Sequence, residues 1–105
     1  MEQKFTDSEV EIMLDDMARV FKAMGDPLRI RILGMLISGE RCACMFHEAL
    51  NVPQNLVSHH LKVLQDNQII VGRKEGRFIY YSLDDERIDT VRIILGSLIG
   101  KGETI

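Results

Sequence analysis

A chain of 105 residues with 46% apolar and 28% charged positions has the size and make-up of one folded domain, expected to span residues 1–105. No apolar run approaches the roughly 18 residues of a membrane span, and the acidic start MEQKFTDSEVE lacks the basic-then-apolar layout of a secretory signal. The expected setting is therefore the cytoplasm. The net charge of −3 argues against wrapping a long polyanion unless positive charge is gathered locally.

Between Ser8 and Met24, apolar residues from Val10 through Met17 to Phe21 recur at steps of three and four, predicting a first helix with one buried face. In the following "GDP", Gly25 stops that helix, Asp26 is suited to cap the next one and Pro27 to its first turn. The second helix runs from Leu28 through Ile30, Ile32, Leu33, Leu36 and Ile37 to the stop at Ser38-Gly39, with Arg29 and Arg31 on its solvated side. A short third helix is predicted from Met45 to Leu50, ended by Asn51. Pro53 opens a fourth, with Leu56, Val57, His60, Leu61 and Leu64 on one side. Two helices joined so tightly suggest a helix-turn-helix. The stretch "QIIVGRKEGRFIYYSL" reads as a β-hairpin turning at Glu75-Gly76, and Ile88, Val91, Ile94, Leu95, Leu98 and Ile99 form a last amphipathic helix before the polar tail "GKGETI". The order is that of a mainly α winged helix-turn-helix with a β-hairpin wing. Its terminal helices are apolar enough to predict burial against a two-fold copy.

The hairpin gathers Arg73, Lys74 and Arg77, which suits a wing resting on phosphates. The outer face of the fourth helix offers Gln54, Asn55, Ser58 and His59 to base edges, with Lys62 a turn further on for a phosphate. His60, beside Leu61, reads as a packed core histidine rather than a reader of DNA. The six methionines are scattered over helix faces and read as packing rather than as a copper site.

The runs "GDPLRIRIL", "LVSHHLKVLQDNQII" and "GRKEGRFIYYSL" together resemble the ArsR/SmtB family of metal-sensing transcriptional repressors, and the likeness extends from Met24 to Leu83. The resemblance implies a homodimer formed by the first and last helices, an operator of double-stranded DNA with two-fold symmetry, and release from it when an inducer binds. It also implies a sensing role for Cys42 and Cys44, because one family site uses a Cys-x-Cys pair at the start of the third helix. The chain departs from the arsenite-sensor pattern at His47, where a third cysteine often stands. No cysteine lies in its N-terminal arm and no histidine in its last helix, so other family sites lack ligands.

The two cysteines are the chain's only thiols, and a disulfide across one residue closes a small ring, the least expected use of them. On a regular helix, residues two apart point about 200° away from each other, so the pair can share an ion only where the backbone is non-helical. Cys44 and His47, three apart, could meet on one face while Cys42 swings in from the loop. Two thiolates and an imidazole suit arsenite or antimonite, and also zinc, cadmium or lead with water in a remaining position. Burial as small hydrophobes and reversible oxidation are the competing uses, with Arg41 adjacent to favour a thiolate. No obligatory cofactor is required. A winged-helix module that meets protein instead of an operator is the alternative function. An enzyme is disfavoured, since neither a nucleophile-base pair nor a phosphate-binding glycine loop is present.

Overall fold

The computed structural model describes residues 6–99, and the tail GKGETI lies outside them. Its elements are α1 (Asp7–Met24), α2 (Pro27–Leu36), β1 (Arg41–Cys42), α3 (Phe46–Leu50), α4 (Gln54–Asp66), β2 (Ile70–Glu75), β3 (Phe78–Leu83) and α5 (Asp85–Leu98). A single 3-10 turn at Ala43–Met45 leads into α3.

Helix boundaries follow from side chains that satisfy the free N–H groups of a first turn. Thr6 accepts from the Glu9 N–H while the Glu9 carboxylate accepts from the Thr6 N–H, a reciprocal box at the start of α1. Asp26 Oδ1 accepts from the N–H groups of Leu28 and Arg29 at 2.9 and 3.1 Å, with Pro27 in the first turn. Asp84 caps α5 through the Arg87 N–H. Asn51, at φ 57°, ends α3 in the left-handed region that asparagine tolerates. Residues 51–53 then turn the chain into α4, completing the helix-turn-helix.

The core is assembled from Met17, Val20 and Ala23 of α1, Ile32 and Leu36 of α2, Phe46, and the inner face of α4. Phe46, Ile32, Leu64 and Ile69 are fully buried. Arg87 of α5 joins three helices: its guanidinium forks onto Asp16 of α1 at 2.6 and 2.9 Å and donates to the carbonyl of Asn67, which caps the end of α4, at 3.1 Å. The sheet order is β1-β3-β2 and both pairings are antiparallel. Glu75 pairs with Phe78, so the hairpin turns at Gly76-Arg77, one residue later than expected, with Gly76 at φ 64°. The third strand is the larger departure: β1 sets Arg41 opposite Tyr81 and Cys42 opposite Tyr80.

Two expectations for α2 do not hold. Ile30 is half exposed, and Ile37, just past the helix, is 77% exposed. Arg29 is turned inward, its Nε donating to the Ala23 carbonyl at the end of α1. The terminal helices do carry more apolar surface than one chain covers: Ile12 and Leu14 on α1, Ile93, Leu95 and Leu98 on α5, and Ile99 after it are all exposed. No helix among the described residues is long and apolar enough to cross a membrane.

Candidate functional site

Burial of Val57, His60, Leu61 and Leu64 fixes the rotation of α4, leaving Gln54, Asn55, Ser58, His59 and Lys62 exposed on its far side. Lys62 pairs with Asp66 at 3.3 Å, an exposed contact one turn apart that contributes little. His60 is buried, as its spacing predicts. Arg29 Nη1 lies 3.0 Å from its Nδ1. A guanidinium can only donate, so Nδ1 is the acceptor and Nε2 carries the proton, facing Asp26 Oδ1 at 4.0 Å. Burial lowers the imidazole pKa, against the opposing pull of the Asp26 charge. The Asp26 carboxyl is itself held below its ordinary range, first by the hydrogen bond from the Arg29 N–H.

On the wing, Lys74 and Arg77 are exposed and form no ion pair among the described residues. Arg73 differs from them. Its Nε and Nη2 grip both oxygens of Glu40 at 3.0 and 2.9 Å, Nη1 meets Glu75 at 2.7 Å, and the guanidinium lies over the Tyr80 ring at 5.0 Å. These carboxylates push the Arg73 pKa up, and Arg73 in turn holds the Glu40 carboxyl down. Arg73 therefore moors the wing to the segment before β1, and the unpaired positive charge belongs to Lys74 and Arg77.

The thiol segment is non-helical where the chemistry requires it. Cys42 is extended at φ −66°, ψ 138°, and the 3-10 turn that follows folds Cys44 back, with the two Cα atoms 5.2 Å apart. The sulfurs are joined as a disulfide, the use least expected from the sequence. A link across one residue constrains almost no chain, so it is a weak staple. The Cys44 N–H donates to Cys42 Sγ at 3.3 Å; Cys42 is buried and Cys44 exposed.

His47 lies half-buried on α3, and with the two sulfurs joined the described residues contain no group of three or more His, Cys, Asp or Glu placed to hold a metal ion. Arg41 is also turned elsewhere, its Nε donating to the Met35 carbonyl at 2.7 Å and Nη2 to Ser38 Oγ at 3.1 Å. What the sequence did not reveal is the neighbourhood of the thiols. Cys42 and Cys44 share a cleft of about 270 Å³ with Gln54, at the start of α4, and with Arg77, Phe78 and Ile79 at the wing tip.

Residues 26–70, from the cap of α2 to the first residue of β2, match the family described as bacterial regulatory protein, arsR family. An arsenical resistance operon repressor of Staphylococcus xylosus is 37% identical over 76 residues, covering 72% of this chain and 73% of that protein. The chain belongs to the ArsR family. A cadmium resistance transcriptional regulatory protein CadC homolog of Staphylococcus aureus is 42% identical over 74 residues, 70% of this chain and 61% of the relative. The solved structure of reduced HlyU from Vibrio cholerae N16961 superposes with a TM-score of 0.70 at 26% identity, covering 89% of this chain and 98% of that one. ArsR-family proteins are transcriptional regulators rather than enzymes, and this ArsR-family chain carries their winged helix-turn-helix complete through β3.

Proposed function

We propose that the chain is a cytoplasmic, homodimeric repressor. It reads an inverted-repeat operator through α4 and the wing and is released when arsenite or antimonite engages Cys42 and Cys44. The observation that carries this reading is the cleft the thiols share with Gln54 and Arg77. Gln54 and Asn55 suit adenine, whose major-groove edge takes two hydrogen bonds from an amide side chain. Lys74 and Arg77 suit the flanking phosphates.

Once reduced, the thiols form a two-sulfur site whose third donor is His47, water or a small thiol. Cadmium, lead and zinc compete for the same sulfurs. Cys42 pairs with Tyr80 of the wing strand, so an ion that spreads the turn displaces both the wing and the base of α4. Coupling between two such sites is typically 1–3 kcal/mol, a loss of operator affinity of roughly 5- to 150-fold. The relatives named for arsenical and cadmium resistance support an inducer of this class.

The test is fluorescence anisotropy with a labelled duplex from the promoter of its own gene, under reductant, titrating each ion into wild type and Cys42→Ser/Cys44→Ser. Release of wild type but not of the variant is expected with arsenite or antimonite. Release of both by the same ion sinks the thiol site. A duplex affinity that does not fall with salt favours the protein-binding module instead. The joined sulfurs favour a second reading, in which oxidation itself is the signal. In that case peroxide releases wild type and reductant restores binding, with no ion present.

A further inference from the structure

Gln54 and Val63 are nine residues apart on α4, which at 100° per residue places them about 180° from each other, on opposite flanks of the helix. The thiol cleft borders the Gln54 flank. On the other, Arg19 and Lys22 of α1, Arg29 of α2 and His59 of α4 rim a depression of about 410 Å³ floored by Ala23 and Val63. Three cations and a histidine from three helices gather here, in a chain whose net charge is −3.

Little nearby neutralises them. Lys22 has no ion-pair partner among the described residues. Among the described residues Arg19 pairs only with Asp16, at 3.7 Å, and that carboxylate is already gripped by Arg87. Arg29 is pre-oriented, with Nε held by the Ala23 carbonyl and Nη1 by His60, and Nη2 is uncommitted among the described residues.

A major groove about 12 Å wide admits one helix of roughly 10–12 Å diameter, so a helix reading bases has a sugar-phosphate strand along each flank. Lys74 and Arg77 serve one strand. We propose that the α1 cleft serves the other, seating a backbone phosphate of the operator between Arg19, Lys22 and Arg29. This rests on the DNA-binding reading and adds α1 to the contact surface. It also divides α1 in two: exposed Ile12 and Leu14 lie in its N-terminal half, the cations in its C-terminal half.

The experiment compares wild type with Arg19→Gln/Lys22→Gln by anisotropy on the same promoter duplex across a series of sodium chloride concentrations. One neutralised phosphate accounts for a slope of about 0.9 in log K against log salt, so a dimer that neutralises two fewer is expected to bind with a slope shallower by about 1.8. Arg19→Lys, which keeps the charge, is expected to retain the wild-type slope, and unchanged thermal melting shows that the fold is intact. A double variant with the wild-type slope overturns the assignment. In a second arm, inorganic phosphate is titrated into the free protein and followed by NMR. Shifts at Ala23 and Val63 together with an unchanged DNA slope overturn the operator assignment in favour of a free-anion site. A wild type without salt-dependent duplex affinity fails the repressor reading itself, whereas a slope shared by wild type and variant fails only the cleft.

Discussion

His60 links the core to the reading helix through one proton. The buried ring is neutral, and its Nδ1 is occupied by Arg29, so protonating that nitrogen breaks a hydrogen bond and places a second cation against the guanidinium. Because the folded pKa lies below the ordinary 6.5, the folded state binds fewer protons than the unfolded state near that pH. The stability His60 contributes is complete above about 6.5 and is lost as pH falls through the folded value. Thermal melting against pH is expected to decline from about 6.5 downward in wild type, and to be flatter across that window in His60→Leu. A second decline belongs to Asp16, Asp26 and Glu40, whose carboxyls are held below their ordinary 3.8 to 4.5 by Arg87, the Arg29 N–H and Arg73 respectively. Their contribution is present above those ordinary values and disappears in stronger acid. The burial of His60 was legible in its spacing with Val57, Leu61 and Leu64. Its partnership with Arg29, 31 residues away, was not, because periodicity reports which face is buried and not which side chain crosses from a neighbouring helix.

At the level of elements, the wing separates charges that look alike in sequence. Arg73 is offset by Glu40 and Glu75, whereas Lys74 and Arg77 have no ion-pair partner among the described residues. Salt titrations of duplex affinity are therefore expected to show a slope shallower by about 0.9 for each phosphate that Arg77→Gln or Lys74→Gln leaves unneutralised, and little change in Arg73→Gln. An equal decrease in all three would mean that Arg73 leaves Glu40 for DNA. The helices were legible from apolar spacing at three and four and, for α2, from Asp26 before Pro27; the Thr6 and Glu9 box and the Asp84 cap emerge only from the structure. Strand β1 was not, since two residues cannot display an alternation. That single omission hid the approach of Cys42 to Tyr80, and with it the cleft common to thiols, wing and α4.

For the whole molecule, the exposed apolar residues of α1 and α5 predict the assembly. Leu95 and Leu98 are 43% and 61% exposed, and a second copy is the simplest cover for them. Leu95→Glu/Leu98→Glu is expected to sediment as a folded monomer where wild type is a dimer. Losing the second reading head should cost about 10²- to 10⁴-fold in operator affinity. A variant that still sediments as a dimer places the interface elsewhere. Arg87 then acquires a further meaning, because it ties the end of α4 to both helices of that interface. In the proposed dimer the gap between two reading heads is set by this brace and not by a pliable linker. Inserting one base pair between half-sites swings the second by about 34–36° and carries it about 3.4 Å further off. The proposed dimer is thus a caliper with a locked jaw, expected to gauge the length of an operator as strictly as the letters within it.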